Sequence, residues 1–579
     1  MPGAATLVLH HGKVVTMDRG GSIAEAVAMA DGTILHVGRS AEMQPFIGPE
    51  TRIIDVGGQC VIPGFVDTHA HMDREGLRTL FPSVAGAHTV PEVVARVANE
   101  VAKMPPGAWL VTAPLGTPPY HFDIAAMLAE HRVPTRWDLD AVSPANPVYI
   151  QAIWGYWGWP PLVSVLNSRA LRLCGITRHT EPPWEGVEIL KDRHGEPTGV
   201  ILEHSFVPTV EFTLLERAPR FSIAQRVDGL KISMQRYNAA GTTSIYEGHG
   251  IDPDLMLAYK RLWARGEMTV RSHLLFTPPY KPTAEFREQI EDWARLASGA
   301  GFGDDLLRVG GICFQLTGNP TVARLRRRAK PYTSWAGHYH DPVTPEQLRE
   351  RVLIAAENDL RVCVLADQIA NVEVVLDAYE AADRQVGIRD KRYVIQHLQF
   401  ATPQQLDRIK ALGLVVGVHP NNHIWKRGKR HLTPEGRQQI DRVTPMRDLF
   451  DRGIPVTIET DGSPIEPLHA LWAVVARRER ETGELVAPAQ RVSRQEALQA
   501  LTINGAYLTF EEAKKGSIEP GKWADVVVLG EDLFEVAEER LKDIRIAMTI
   551  VAGRVVYESS AVSPSSETSP LMPGAAARV

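Results

Sequence analysis

The stretch PGFVDTHAH, residues 63–71, decides the fold, because it forms a short apolar strand that ends in two histidines. Side chains two positions apart in a strand point to the same side, so His69 and His71 can bind one metal ion together. A lone His-x-His pair also arises by chance on protein surfaces. The pair therefore predicts a metal site only if other ligand-type residues lie at the ends of neighbouring strands.

Seven further apolar segments of strand length follow this stretch, and helical segments separate most of them. Such alternation is typical of parallel βαβ units, and eight strands favour a closed barrel over an open sheet. We predict an α/β protein with a (β/α)8 TIM-like barrel built from residues 61–75 and 241–505. The predicted strands are Phe65–His69, Thr243–Glu247, Thr269–Leu275, Gly311–Leu316, Val362–Leu365, Tyr393–His397, Leu414–His419 and Val456–Thr460.

Three other regions flank or interrupt this barrel. Residues 1–60 and 506–558 are rich in short strands and glycine turns, and we expect them to form one small β-sandwich domain. Residues 76–240 form a large insertion after the first strand, at the position of a substrate lid. Residues 559–579 are rich in Ser, Pro and Ala, and are predicted to be disordered.

The insertion contains the aromatic run IWGYWGW at residues 153–159. A packed lid core explains most of these rings, but the glycines between them would give a ligand access to ring faces. We therefore name Trp154, Tyr156 and Trp157 as candidate substrate-binding residues, with core packing as the alternative.

Composition limits the classes of function open to this chain of 579 residues. Its net charge of −6 gives no indication of nucleic-acid binding, and no apolar run reaches membrane-spanning length. The four cysteines form no Cys-x-x-Cys pair, which argues against a disulfide framework and against a thiolate zinc site. We expect a cytoplasmic enzyme that acts on a small molecule.

Ligand-type residues lie at the ends of several other predicted strands. The carboxyl ends of parallel barrel strands meet at one face, so these side chains should converge with the His-x-His pair. A set of histidines and carboxylates suits Zn²⁺ and leaves other divalent ions possible. The residues are Glu247 and His249 at the second strand, His397 at the sixth, His419 at the seventh and Asp461 after the eighth.

Residues 64–71 resemble the first-strand motif of the amidohydrolase superfamily, and later stretches resemble its YtcJ-like (amidohydrolase-3) branch. The resemblance covers nearly the whole chain. It implies a metal on His69 and His71 with His397 and Asp461 as further ligands, and a homo-oligomer such as a dimer. It also implies that Asp461 accepts a proton from metal-bound water as the catalytic base. The later stretches are LNSRAL at 166–171, NAAGTTS at 238–244, LDAYE at 376–380 and GSIEPGKWAD at 516–525.

Two positions differ from the pattern that the resemblance implies. Relatives often have a lysine at the end of strand four and usually a histidine at the end of strand five, and both residues serve a second metal. Cys313 and Leu365 occupy these positions here, so we expect one divalent ion per chain. Cys313 is more simply explained as a small buried apolar residue, and His273 as a core histidine. Residues that could instead rebuild a second site are Glu247, His249, His273 and Asp367.

These observations predict a metal-dependent hydrolase that cleaves a non-peptide carbon–nitrogen bond by attack of metal-bound hydroxide. The expected substrate is a small amide, formamide or lactam. A metal-dependent deaminase is an alternative, because it uses a similar single-metal ligand set. A catalytically inactive binding protein on the same barrel is another, and metal content distinguishes it because an inactive relative need not retain the ion. The substrate cannot be read from the sequence, because specificity depends on loops without readable motifs.

Overall fold

The structure is a computed structural model in which eight parallel strands form a nearly closed barrel. The predicted α/β barrel is confirmed. Its strands are Phe65–Asp67, Thr242–Ile251, Arg271–Phe276, Leu307–Gln315, Val362–Leu365, Val394–Gln396, Val415–Val418 and Val456–Ile458. The described residues are 3–116, 127–153, 157–206, 208–251, 253–278, 281–316, 319–328, 342–462 and 464–560.

The barrel strands pair in chain order, and hydrogen bonds just beyond the first and last strands complete the ring. Thr68 Oγ1 donates to Thr457 Oγ1 at 2.8 Å. The backbone N–H of Asp461 donates to the carbonyl of His69 at 2.9 Å. These bonds bring the end of the eighth strand next to the His-x-His pair of the first.

Helices cover the outside of the barrel, and several begin at a side-chain cap that the sequence supplies. Thr344 and Thr402 each accept a hydrogen bond from the backbone three residues later, in capping boxes with Gln347 and Gln405. In the described part of the chain, no helix combines the length and apolar character needed to cross a membrane. The helices after the second barrel strand are Pro253–Ala264, Thr283–Ala297, Pro320–Arg328, Pro345–Glu357, Ile369–Val386, Pro403–Ala411, Met446–Asp451, Pro467–Ala476, Arg494–Leu501 and Ile503–Leu508.

The chain between the first and second barrel strands contains a sheet of its own. The helix Ile223–Ala239 lies at the end of this region but packs on the barrel, where Leu230 and Met234 share a core with Ile245 and Tyr259. We therefore propose that the insertion ends before residue 223 rather than at 240. The sheet consists of Leu110–Thr112, Val148–Ile150, Leu162–Leu166, Val187–Lys191 and Pro197–Glu203, and its helices are Val90–Val101, Arg136–Asp140 and Ser168–Leu173.

Two sheets built from the ends of the chain pack face to face. Leu7 and Met29 of the first sheet share one apolar core with Val526 and Ile550 of the second. The first contains Leu7–His10, Ala26–Ala30, Thr33–Gly38 and Arg52–Asp55; the second contains Lys13–Val15, Ile23–Ala24, Cys60–Pro63, Val526–Leu529, Ile546–Val551 and Arg554–Glu558. Residues 561–579 of the predicted tail lie outside the described residues. The other predicted domain boundaries remain predictions.

Candidate metal centre

Four buried side chains from three barrel strands meet at the carboxyl end of the barrel. His69 and His71 follow the first strand, His249 lies in the second, and Asp461 follows the eighth. Each offers a ligand atom, and these atoms all lie within 4.8 Å of one another. His71 Nε2 is 2.7 Å from Asp461 Oδ1, and His69 Nε2 is 3.7 Å from the same oxygen. The donor set is one that divalent zinc accepts.

The second oxygen of Asp461 faces two further histidines. His419 Nδ1 lies 3.3 Å from Asp461 Oδ2, and His397 Nε2 lies 4.0 Å from it. Despite the short distance to His71, neither oxygen of this buried carboxylate accepts a hydrogen bond of normal geometry within the described residues. Burial raises the pKa of Asp461 to about 7. A desolvated carboxylate among imidazoles fits a divalent cation, because the positive charge of the cation would offset the cost of burying the carboxylate charge.

The turns that carry these ligands have an uncommon backbone conformation. His397 and Asp461 have φ values of 61° and 52°, in the left-handed region that non-glycine residues seldom occupy. Next to Asp461, the Thr460 hydroxyl donates to Asp67 Oδ2 at 2.5 Å, and the Thr460 N–H donates to Asp67 Oδ1 at 3.1 Å. Asp67 thus fixes the turn after the eighth strand from within the first, which holds two ligand-bearing segments together.

His397 is oriented by a buried carboxylate. Its Nδ1 lies 2.8 Å from Glu459 Oε2, and its backbone N–H donates to the same oxygen at 3.3 Å. Burial alone would lower the pKa of His397, but the charge and hydrogen bond of Glu459 raise it above its ordinary value. With Nδ1 paired to the carboxylate, Nε2 is the ring atom that faces Asp461.

His69 is oriented by an amide instead. Its Nδ1 lies 3.0 Å from Gln396 Oε1, and Gln396 Nε2 donates to the carbonyl of Thr68 at 2.9 Å. Because the amide oxygen only accepts, Nδ1 carries the proton and Nε2 keeps its lone pair. The Cys363 thiol donates to the same amide oxygen at 3.0 Å.

Glu247 lies on the far side of His71 from Asp461. Its Oε1 is 3.6 Å from His71 Nδ1, and its Oε2 accepts a hydrogen bond from the Tyr259 hydroxyl at 2.8 Å. Burial, followed by the charge of Asp73, raises the pKa of Glu247 well above its ordinary value. The Glu247 carboxyl group therefore lies beside Nδ1 of His71, while Nε2 faces Asp461.

The fourth and fifth strands differ in which of their side chains reach the pocket. Leu365 is in register with Gln315, and both line the pocket at the metal centre. Cys313 is in register with Cys363, and their Sγ atoms lie 3.9 Å apart inside the barrel. The fourth-strand position beside the pocket is thus Gln315, while Cys313 packs in the interior as its alternative interpretation predicted.

The remaining predicted site residues occupy different places. Asp367 lines the pocket, where its carboxylate accepts hydrogen bonds from the side chains of Gln368 and Asn371. His273 is buried with Nε2 3.2 Å from the carbonyl of Gly310, as expected of a core histidine. Trp157 is 1% exposed and donates to the carbonyl of Gly462 at 2.8 Å, so it buttresses the turn after Asp461. Trp154 and Tyr156 lie outside the described residues.

The pocket also has a wall that the sequence interpretation missed. Asn422, His423 and Arg427 come from a π-helical segment, Asn421–Lys426, and the residue after it. Burial lowers the pKa of His423 well below its ordinary value, and the charges of His397 and Arg427 lower it further. The sequence signal that could have identified this wall is the density of polar residues directly after the seventh strand. Its π-helical conformation agrees with a functional role, because such segments are frequent at functional sites.

Comparison with known sequences identifies the family. A sequence model of the amidohydrolase family matches residues 52–557, which is most of the chain. The chain belongs to the amidohydrolase family. The resemblance to this family, and the prediction of a metal-dependent hydrolase, are confirmed.

Other proteins align with this amidohydrolase over nearly its whole length. The N-substituted formamide deformylase of Arthrobacter pascens is 27% identical over 565 residues, which are 95% of this chain and 98% of the relative. Protein LONG AFTER FAR-RED 3 of Arabidopsis thaliana is 24% identical, over 96% of this chain and 92% of the relative. A crystal structure of an uncharacterized metal-dependent hydrolase from Pyrococcus furiosus has a TM-score of 0.66 at 21% identity, covering 91% of this chain and 100% of that one. At that identity the structural likeness shows the shared fold.

Proposed function

We propose that this amidohydrolase cleaves a carbon–nitrogen bond in a small non-peptide substrate, with N-substituted formamides first among amides, formamides and lactams. The observation that carries the proposal is the convergence of His69, His71, His249 and Asp461 within 4.8 Å at the barrel mouth. The formamide class is favoured because a relative aligned over 95% of the chain is an N-substituted formamide deformylase.

One divalent ion, with zinc as the first candidate, would be held by His69, His71 and Asp461, with His249 as the fourth ligand. His249 takes the place of the fifth-strand histidine, because Leu365 has no donor atom. A bound ion at such a site polarises a carbonyl group and lowers the pKa of water toward neutrality. His397 was predicted as a direct ligand; it lies outside the group of four residues whose ligand atoms are all within 4.8 Å of one another, and we propose it for the substrate side of the centre.

The side chains around the ion have distinct roles in this proposal. Asp461 Oδ2 accepts the proton of the attacking water, because this oxygen points to the open side of the centre toward His397 and His419. His397 Nε2 donates to the substrate, because Glu459 stabilises its protonated ring. His419 is buried, and burial lowers its pKa well below the ordinary value, so it serves as a neutral hydrogen-bonding group beside Asp461.

A substrate screen with metal analysis tests this function. The protein is purified without chelator, its metal content is measured, and hydrolysis is assayed on N-alkylformamides, small amides and lactams. His71→Ala is the matched inactive control. Turnover of formamides that depends on metal and on His71 supports the proposal. Release of ammonia from aminopurines or aminopyrimidines without amide cleavage would favour a deaminase. Absence of both turnover and metal would favour a binding protein.

A further inference from the structure

The segment after the seventh strand, beside the pocket, carries a concentration of positive charge. Lys426, Arg427 and Arg430 lie within eleven residues of His419, and all three approach the ring of Trp159 at 5.0–5.5 Å. Arg427 also lies 5.0 Å from the ring of Phe206. These aromatic rings come from the insertion, and they orient the guanidinium group at the pocket wall.

The positive charges of this cluster lower the pKa of one of its members, Lys426. Burial, together with the charges of Arg427, Arg480 and Arg430, lowers the pKa of Lys426 to about 7. Among the main influences on this lysine, Asp461 is the group that acts in the opposite direction. The region is therefore electropositive in the direction of the metal centre, and a negative charge bound there is stabilised.

Two neutral polar groups accompany Arg427 at the pocket. Asn422 is 6% exposed, and it lines the pocket. His423 is 3% exposed, and its Nδ1 has no partner in the same part of the chain. The Arg427 N–H donates to the Asn422 carbonyl at 2.8 Å, which is the π-helical bond that places both side chains on the pocket wall. A buried imidazole nitrogen without a protein partner, such as His423 Nδ1, indicates that a ligand supplies one.

We propose that Arg427, Asn422 and His423 form a subsite for a carboxylate group on the substrate. This inference rests on the proposed function and narrows it to amides or formamides whose amine half is anionic. A guanidinium can bind a carboxylate with two hydrogen bonds. The carboxamide of Asn422 and the imidazole of His423 can donate further hydrogen bonds to the same carboxylate.

The position of the subsite limits the length of the substrate. The His423 ring lies 5.5 Å from that of His419, which lies 5.3 Å from that of His397. A short chain thus separates the carboxylate of the substrate from the bond that is cleaved. Asp367 also lines the pocket, but its carboxylate already accepts from Gln368 and Asn371.

Matched pairs of substrates test the subsite. The anionic members are the N-formyl derivatives of glycine, β-alanine and 4-aminobutanoate, and each neutral partner is the N-alkylformamide of equal chain length. The wild-type enzyme should have a KM at least about tenfold lower for one anionic member than for its neutral partner, as expected of a charge-assisted hydrogen bond. Arg427→Met should abolish this preference by raising KM for the anionic member more than for the neutral one, while metal content is kept. Arg427→Lys should retain part of it.

Arg430→Met is the matched control, because Arg430 carries the same charge on the same segment but does not line the pocket. An unchanged preference in Arg427→Met, or an equal loss in Arg430→Met, would overturn the subsite. If the metal-loaded wild type cleaves neither member of any pair, the formamide part of the proposed function fails, and calorimetric binding of N-formylglycine then tests the subsite alone. Binding that Arg427→Met removes supports the subsite, and absence of binding to the wild type refutes it.

Discussion

His397 and Glu459 form a buried pair in which the imidazole Nδ1 lies 2.8 Å from the carboxylate Oε2. The carboxylate fixes the ring orientation and favours its protonated form, although the two residues are 62 positions apart in the chain. A carboxylate with this role raises the basicity of a histidine and directs its other nitrogen toward the centre.

We predict that Glu459→Gln lowers kcat by about ten- to a hundredfold, because the amide keeps the shape of the side chain but not its charge. Steady-state kinetics on the best formamide substrate provide the measurement, together with metal content. Glu203→Gln is the control, since Glu203 is an equally buried carboxylate in the insertion. Equal kinetic losses in both variants would show that general destabilisation, rather than the His397 contact, causes the effect.

His71→Ala, like His69→Ala, should remove bound metal and reduce activity by at least about a hundredfold. Each substitution deletes one of the few ligands, and the strand geometry offers no replacement. His249→Ala should also lower metal affinity, which a chelator competition titration measures without reference to activity. His204→Ala, at an exposed histidine of the insertion, serves as control. Full metal occupancy in His71→Ala would refute the assignment, and wild-type affinity in His249→Ala would remove His249 from the ligand set.

The structure explains why some parts of the site were predictable and others were not. The barrel strands are continuous apolar runs, so Val362–Leu365 was located from sequence alone. The His-x-His pair is local, and its geometry follows from strand alternation. The contact between His69 and Gln396 joins residues 327 positions apart, and no local pattern encodes it. Arg427 was missed because a π-helical segment has no simple sequence signature.

The position of a fourth-strand side chain along the barrel axis is also hard to predict from sequence. The strand runs from Leu307 to Gln315, whereas the glycine pair at 310–311 suggested a later start. Gly311 has a φ of 89°, and the strand continues through it. A shift of two residues keeps a side chain on the same face of a strand but moves it by one layer along the barrel. Gln315 therefore lines the pocket, whereas Cys313 packs deeper inside the barrel.

We expect one tightly bound divalent ion per chain. His69, His71, His249 and Asp461 suffice for one ion, whereas a second would depend on His397, His419 and a shared Asp461. The fourth and fifth strands contribute only the neutral Gln315 and Leu365 at the pocket, and neither can bridge two cations. Elemental analysis of protein purified without chelator measures the ratio, and anomalous scattering locates the ion. Two fully occupied ions at bridging distance would contradict this prediction and place His397 and His419 among the ligands.

The last prediction concerns the contact that ties the terminal sheets to the barrel. Arg271 of the third barrel strand donates to both carboxylate oxygens of Asp525, at 2.6 and 3.0 Å, and both side chains are buried. Asp525→Ala should lower the free energy of unfolding by about 3–5 kcal/mol, because it leaves a buried guanidinium without its counter-charge. Denaturant titrations followed by circular dichroism measure the loss. Glu558→Ala breaks the more exposed pair with Arg52 and should cost no more than about 1 kcal/mol. Similar losses in the two variants would show that the buried Arg271–Asp525 pair contributes no more to the free energy of unfolding than the exposed pair does.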